Sequence, residues 1–148
     1  MARNEIFIDA PPSEVFDVLR HARHYGDWVV GSHEIRGADE NWPAAGTAFY
    51  HSVGKPPLLI RDETVAVRSE PPVLLEMLAR ARPLPTARVI LRLRPDGRGT
   101  HVTMIEDLAN RVLNFLGGPL AQAAIRMRNR ESLSRLKAIA ERWPTRSS

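Results

Sequence analysis

Residues 3–28, RNEIFIDAPPSEVFDVLRHARHYGDW, contain a short strand followed by one or two short helices. The first letters alternate between apolar and other side chains, which predicts a strand over residues 3–9. The two prolines at 11–12 end this strand, and proline fits the first turn of the helix that follows. Helical spacing of apolar residues then runs to about His21. The remaining segment predicts a second short helix or a turn that ends at Trp28.

The chain after Trp28 changes to the pattern of β-strands, which continues to about residue 109. Turn signals such as NWPAAG and PDGRG separate short segments in which apolar and polar residues alternate. Segment 73–83 has the composition of a helix, but the prolines on both sides favour an extended chain. Consecutive hairpins make these strands antiparallel, and the first strand is left to pair at an edge. The predicted strands span residues 33–39, 47–53, 58–70, 73–83, 87–95 and 100–108.

The rest of the chain predicts helices. A short helix over residues 110–116 is broken by Gly117 and Gly118, and Pro119 begins a long helix that runs to about Trp143. About 24 residues at about 1.5 Å each give about 36 Å, long enough to cross a small sheet and cover its apolar face. The expected apolar stripe of this helix comprises Leu120, Ala124, Met127, Leu133, Leu136, Ala140 and Trp143.

Composition places the chain among single-domain globular proteins. It has 148 residues, 43% hydrophobic and 26% charged, with a net charge of +4. With no internal repeat or long linker, we expect one soluble domain over residues 1–148, of which residues 144–148 form a flexible tail. No apolar run approaches the roughly 18–20 residues of a membrane helix, and no signal-peptide core is present. The absence of cysteine excludes disulfides and thiolate sites and makes the cytoplasm the simplest location.

Several phrases together resemble the START-like superfamily, also called SRPBCC or helix-grip, and in particular its polyketide cyclase/dehydrase branch. They are IFIDAPPSEVFDVL followed by YGDW, PAAGTAFYHSVG, PPVLLEMLARARP, GRGTHVTMIED and GGPLAQAAIRMRNRESLSRL, spread over residues 3–143. The resemblance implies an α+β helix-grip fold, in which a curved seven-stranded antiparallel sheet wraps around a long C-terminal helix. Two short helices follow strand 1. A hydrophobic cavity is expected between sheet and helix.

The resemblance also implies a choice of functions. Members of the superfamily bind lipids, sterols, plant hormones and polyketides, and some are aromatase/cyclases. We therefore expect binding or carriage of a small hydrophobic, lipid- or polyketide-like molecule in the cavity, without a cofactor. The alternative is a cyclase, aromatase or dehydratase that acts on a poly-β-keto chain in the same cavity. A third possibility is an interaction module with a vestigial cavity, because a fold alone does not define a function.

Strand and helix periodicity predict which apolar residues line such a cavity. The inward-facing strand residues are expected to be Val65, Val67, Leu75, Met77, Val89, Leu91, Val102 and Met104, and those of the helical region Leu116, Leu120, Ala124 and Met127. The ligand-binding candidates among them are Met77, Val89, Met104, Leu116, Leu120 and Met127. Trp28 joins this set, because its region borders the cavity mouth in this fold and its ring offers an apolar face and one N–H donor.

Polar residues that share a strand face with these apolar residues are candidates for holding a ligand's polar end. They are His51, Arg61, Glu63 and Glu106. A buried charge must be paired, so we expect Glu63 or Glu106 to pair with Arg61 or His51. In a cyclase, His51 or Glu63 would move the proton and Arg61 would stabilise an enolate. On the long helix, Asn129 could turn its amide inward.

Metal, nucleophilic and nucleic-acid chemistry have little support. His21 and His24 have the spacing of two metal ligands on a helix, but only His33 or Asp27 could complete the site. Neither HExxH nor GxSxG occurs. The arginines of strand 87–95 lie opposite its apolar face and have no interleaved aromatic residues on which bases could stack. We expect no metal and no nucleic-acid partner, and a monomer or a homodimer.

Overall fold

The computed structural model of the chain describes residues 1–83, 85–108 and 111–143, with side chains at all of these positions except 33, 55 and 111–117. The predictions for the tail 144–148 and for the side chain of Leu116 lie outside the described residues.

The strands of the described residues form one antiparallel sheet of seven strands. They are β1 (Ala2–Ile8), β2 (Ser32–Ala38), β3 (Ala48–Lys55), β4 (Leu58–Glu70), β5 (Leu74–Ala79), β6 (Ala87–Asp96) and β7 (Gly99–Leu108). Their order in the sheet is β1-β7-β6-β5-β4-β3-β2, so β2 to β7 form consecutive hairpins and β1 pairs with β7 at one edge. This confirms the predicted antiparallel sheet with the first strand at an edge.

The helices confirm the predicted α+β helix-grip arrangement. After β1 come α1 (Pro12–Arg20), a 3₁₀ turn (Ala22–His24) and α2 (Tyr25–Trp28), and the long helix α3 (Arg111–Glu141) follows β7. Two helical segments of α3 meet at Gly118, whose φ of 59° and ψ of −166° are not helical. Glycine adopts this positive φ without steric strain, and Pro119 then restarts the helix. The predicted break at the diglycine is therefore present.

The C-terminal half of α3 packs in the hydrophobic core. Leu133, Leu136 and Ala140 are fully buried, together with Phe16 and Leu19 of α1. The sheet contributes Ile8, Ala66, Leu75, Met77, Val89, Leu91, Leu93, Val102 and Met104 to the same cluster. This packing stabilises the C-terminal part of α3 against the sheet and leaves a space between the sheet and the earlier turns of α3.

The part of α3 before Leu133 is oriented differently from the prediction. The expectation that Leu120 and Met127 face the sheet is wrong, because their side chains are 87% and 74% exposed, whereas Asn129 and Ser132 are buried. The hydroxyl of Ser132 accepts a hydrogen bond of 3.0 Å from the backbone N–H of Val30, in the loop after α2. The buried face here carries polar residues that make such contacts, and the earlier members of the predicted apolar stripe, Leu120, Ala124 and Met127, are exposed.

The inward face of β4 also differs from the prediction. His51 of β3 lies directly opposite Asp62 of β4, so Asp62 shares its face and the neighbouring residues point the other way. The expectation that Arg61 and Glu63 face the cavity is therefore wrong. Arg61 is exposed. The expectation that Val65 and Val67 face inward is wrong for the same reason, and Val67 is 41% exposed. Periodicity fails here because a charged residue occupies the buried face, where hydrogen bonds hold it.

Candidate ligand-binding cavity

A cavity of about 500 Å³ lies between the sheet and α3. Its walls come from α2, residues 29–31, the first residue of β2, strands β3 to β7, the connection between β5 and β6, and residues 128–129 of α3. Most of the lining side chains are apolar, with a few polar groups among them. Pockets that bind small molecules measure about 300–1,000 Å³ and have the same kind of lining, so the size and composition of this cavity suit a small apolar ligand.

Part of the lining coincides with the residues chosen from the sequence. The predicted residues in the lining are Trp28, His51, Met77, Val89, Met104, Glu106 and Asn129. Arg61, Glu63, Leu120 and Met127 are not part of it. The polar or aromatic lining residues that the sequence reasoning missed include Tyr25, Thr64, Arg80 and Arg128. Of these four residues, only Tyr25 could have been predicted from the sequence, because it lies one helical turn before Trp28 and so shares its face.

Four rings form the inner wall of the cavity, which we define as Tyr25, Trp28, Phe49 and His51. The ring centroids of Tyr25 and Phe49 are 4.5 Å apart, those of Tyr25 and Trp28 5.2 Å, and those of Phe49 and His51 5.6 Å. The hydroxyl of Tyr25 donates a hydrogen bond of 3.1 Å to the peptide oxygen of Leu19. Burial raises the pKa of Tyr25, so its hydroxyl stays protonated. The inner wall is thus a contiguous aromatic surface.

His51 is the titratable group of the inner wall. It is 4% exposed, and within the described residues neither ring nitrogen has a hydrogen-bond partner. Burial lowers the pKa of His51. The peptide carbonyl of Glu63, which lies near the ring but outside hydrogen-bond geometry, and the carboxylate of Asp62 oppose this shift more weakly. The guanidinium of Arg36, which donates to the peptide oxygen of His51 at 3.2 Å, further disfavours the charged ring. His51 is therefore a neutral imidazole near pH 7, with one donor and one acceptor.

Glu106 of β7 and Arg128 of α3 form an ion pair in the cavity wall. The Glu106 side chain is 7% exposed and that of Arg128 42% exposed. Nη2 of Arg128 donates to Oε1 and Oε2 of Glu106 at 2.5 and 2.6 Å, and it lies 3.5 Å from Oδ1 of Asn129. The sequence predicts Arg61 or His51 as the partner of Glu106. This is wrong, because the partner is Arg128. The pair ties α3 to the sheet and compensates a buried charge.

A second anchor fixes the connection between β5 and β6. Oδ2 of Asp62 accepts hydrogen bonds from the backbone N–H and Nε of Arg82 at 2.8 and 3.0 Å, and Oδ1 accepts one from Nη2 at 2.8 Å. The Arg82 guanidinium holds the pKa of Asp62 well below its usual range. On the other face, Nη1 of Arg80 donates to Oε1 of Glu63 at 3.0 Å. These bonds position the cavity-lining residue Arg80 and the chain beyond it.

The histidines considered as metal ligands have other contacts. Nδ1 of His24 lies 3.0 Å from Oδ2 of Asp27, and Nδ1 of His21 lies 2.7 Å from the peptide oxygen of Asp17. Both rings pack edge-on against Trp143. In the part of the chain that the structure describes, no three His, Cys, Asp or Glu side chains are grouped to hold a metal ion. None of the helices in the described ranges is long and apolar enough to cross a bilayer.

A curved antiparallel sheet with a long C-terminal helix and an apolar cavity between them defines the helix-grip class of protein. Comparison with protein families gives a match over residues 2–141 to "Polyketide cyclase / dehydrase and lipid transport". The chain belongs to this family. No curated protein matches the sequence.

Solved structures show how widely the fold is shared. The protein TTHA0849 from Thermus thermophilus is 16% identical with a TM-score of 0.72, and the alignment covers 97% of this chain and 99% of that one. The Zhui aromatase/cyclase from Streptomyces sp. R1128 is 14% identical with a TM-score of 0.70, covering 95% and 93%. A Staphylococcus aureus protein of unknown function, SA2116, is 11% identical with a TM-score of 0.72, covering 95% and 93%. These similarities establish the fold.

Proposed function

We propose that the protein binds and carries a small, predominantly apolar molecule in the cavity between the sheet and α3. The observation that supports this most strongly is the cavity itself, a space of about 500 Å³ whose walls are mainly apolar. Because tightly packed cores hold few voids larger than a water molecule, a space of this size is not needed for folding. Apolar walls favour a ligand that leaves water, and the family's association with lipid transport is consistent with a carrier.

The affinity that such a cavity supplies is moderate. A ligand of roughly 20 non-hydrogen atoms, at about 0.3 kcal/mol each, gains about 6 kcal/mol, which corresponds to a Kd of tens of micromolar. That range suits a carrier, because the ligand must also be released. The inner wall adds stacking area for a flat or ring-containing molecule, since aromatic pairs contribute about 0.5–1.5 kcal/mol beyond the area that they bury.

A cavity-filling substitution tests this function. Ala87 lines the cavity from β6, whereas Ala124 is exposed on α3, so Ala87→Phe and Ala124→Phe form a matched pair. The probe is the neutral fluorophore N-phenyl-1-naphthylamine. We expect Ala87→Phe to weaken its binding about tenfold or more and Ala124→Phe to leave binding unchanged. If the probe does not bind, or if both variants behave like the wild type, the cavity is not a ligand site.

Native mass spectrometry of the freshly purified protein gives an independent test. A reproducible small apolar adduct, identified after denaturing extraction, would support carriage and name the ligand class. The same spectrum reports whether the protein is a monomer or a homodimer. A protein that is bare both as purified and after incubation with lipid extract would contradict the carrier function.

The second candidate is a cyclase-type enzyme, and the observation that favours it is the neutral, unpartnered imidazole of His51 in the cavity lining. The imidazole would remove a proton from the carbon between two ketones of a poly-β-keto chain. The resulting enolate carbon would attack a further ketone carbon and form the ring bond, and the imidazolium would return its proton to the new alkoxide. The likeness to an aromatase/cyclase of known structure is consistent with this reaction.

Substitution of His51 separates the two functions. With a tetra-β-keto thioester as substrate, in which the carbon between two ketones can reach a further ketone and close a six-membered ring, a cyclase would give cyclised product by mass spectrometry. His51→Gln would then slow turnover about 10²–10⁴-fold while probe binding stays within a few-fold. A carrier would give no cyclisation above the uncatalysed rate. In that case His51→Gln would change only the affinity for ligand.

A further inference from the structure

Three residues of the cavity lining carry buried polar atoms that have no partner among the described residues. They are Nε1 of Trp28, Nδ2 of Asn129 and both ring nitrogens of His51. Trp28 and Asn129 are each 1% exposed and His51 is 4% exposed. All three residues line the cavity, Trp28 and His51 from the inner wall and Asn129 from α3. Buried polar groups in native proteins are nearly always satisfied, so three such residues around one cavity require an explanation.

The chemistry of these atoms is dominated by donors. An indole nitrogen and an amide nitrogen only donate, and a neutral imidazole offers one donor and one acceptor. The amide of Asn129 has a defined orientation, because its Oδ1 faces the Nη2 donor of Arg128 at 3.5 Å and its Nδ2 therefore points elsewhere. The unpartnered set thus comprises three donor nitrogens, which carry four N–H groups in total, and one acceptor. Its complement is a group of oxygen atoms that accept more hydrogen bonds than they donate.

The charges around the cavity argue against an anionic ligand. The arginines of the lining, Arg80 and Arg128, are each already paired with a carboxylate, Glu63 and Glu106. Because Glu63 and Glu106 already neutralise these guanidinium charges, a ligand carboxylate buried beside them gains little attraction to offset the loss of its hydration, which is unfavourable.

Building on the proposed function, we propose that the ligand is a neutral molecule whose inner end carries ketone or hydroxyl oxygens, and that Trp28, His51 and Asn129 recognise these oxygens. Neighbouring protein atoms cover the three polar side chains in the unliganded chain. Binding therefore requires that Trp28, His51 and Asn129 turn these atoms toward the ligand in the cavity, which all three residues line. Each new hydrogen bond satisfies a group that is otherwise buried without a partner, so these bonds select an oxygen-bearing ligand over a hydrocarbon of the same shape.

Three probes of one shape test the proposal: 2-acetonaphthone, its hydrocarbon isostere 2-isopropenylnaphthalene, and the anion 2-naphthoate. Binding to the ¹⁵N-labelled protein is measured by chemical-shift titration. In the wild type we expect the ketone to bind at least about tenfold more tightly than 2-naphthoate. The key variant is Asn129→Leu, which removes the amide and keeps a similar volume. It should raise the ratio of the ketone Kd to the hydrocarbon Kd about tenfold, the loss of one hydrogen bond.

Two further variants keep the result interpretable. Trp28→Phe removes the indole N–H and should shift the same ratio in the same direction. Val53→Ala trims an apolar part of the lining and should weaken the ketone and the hydrocarbon equally, leaving the ratio unchanged. The melting temperature of Asn129→Leu should change little, because Nδ2 makes no bond within the described chain and Oδ1 makes only the 3.5 Å contact with Arg128. A structural amide would lower that temperature and leave the ratio unchanged.

The possible outcomes separate the two proposals. Binding of both neutral probes with a Kd ratio that stays within twofold in Asn129→Leu and Trp28→Phe overturns the recognition of oxygens, while the carrier function stands. Tighter binding of 2-naphthoate than of the ketone overturns the neutral ligand. If none of the three probes binds, the proposed carrier function fails together with this inference.

Discussion

Asp62→Asn is the substitution whose effect follows most directly from the structure. The Asp62 carboxylate is 4% exposed and accepts four hydrogen bonds of 2.8–3.0 Å, three from Arg82 and one from the backbone N–H of Glu63. Asparagine keeps the shape but turns an amide N–H₂ toward donors and removes the charge. A hydrogen bond to a charged group contributes about 1.5–3 kcal/mol, and the 65% exposure of Arg82 reduces its share. We expect a loss of about 2–4 kcal/mol in the free energy of unfolding at pH 7.

The difference in the free energy of unfolding between the wild type and Asp62→Asn should also depend on pH. Because the folded-state pKa of Asp62 is depressed, its contribution is present above the unfolded pKa of about 4 and is lost as the pH falls below it. The wild type should therefore lose about 1 kcal/mol of its advantage over Asp62→Asn between pH 5 and pH 3. Urea unfolding followed by circular dichroism measures both quantities.

The neighbouring residue supplies the control. Glu63→Gln breaks the ion pair with Arg80, whose side chains are 29% and 32% exposed, and should cost less than about 1 kcal/mol. A loss below about 1 kcal/mol for Asp62→Asn at pH 7, or a difference from wild type that does not change between pH 5 and pH 3, would refute the anchoring role of Asp62.

Two further predictions concern α3 and the inner wall. Leu120→Gln and Met127→Gln should each change the free energy of unfolding by no more than about 0.5 kcal/mol, while Leu133→Ala, at a fully buried position, should lose about 2–5 kcal/mol. Chemical denaturation distinguishes them, and a large loss at Leu120 would contradict the outward orientation. Because burial depresses the folded-state pKa of His51, its neutral form contributes stability above about pH 6.5 that is lost as the pH falls. His51→Phe should remove this slope between pH 7 and pH 5, and an unchanged slope in unfolding experiments would contradict the neutral assignment.

Much of the fold is predictable because its signals are local. Prolines and glycines mark the turns, so the strand order and the hairpins follow from the sequence. On β6 strict alternation also gives the correct faces, because buried and more exposed side chains alternate from Val89 to Arg94. Met77 of β5 and Met104 of β7 line the cavity. The break before α3 is readable for the same reason, since Gly118 and Pro119 restrict the backbone by themselves.

The faces of β4 and of the part of α3 before Leu133 depend on contacts that are distant in sequence. Asp62 is buried because a backbone N–H twenty residues away needs an acceptor. Ser132 is buried because it serves the N–H of Val30, more than one hundred residues away. The spacing of apolar residues along the sequence does not show such distant hydrogen bonds. A rule that places apolar residues inward therefore assigns β4 and this part of α3 to the wrong face.

Asn129 and His51 need a different explanation from Asp62 and Ser132, although all four are polar residues on a buried face. Asp62 and Ser132 are hydrogen-bonded to backbone groups, so their burial stabilises loops of the fold. Within the described residues, Nδ2 of Asn129 and the ring nitrogens of His51 have no partner, so their burial is unfavourable in the unliganded chain. Positions at which a sequence departs from good packing without a compensating contact tend to be functional. Both residues line the same cavity, which makes a ligand with hydrogen-bonding oxygens the simplest compensation for their burial.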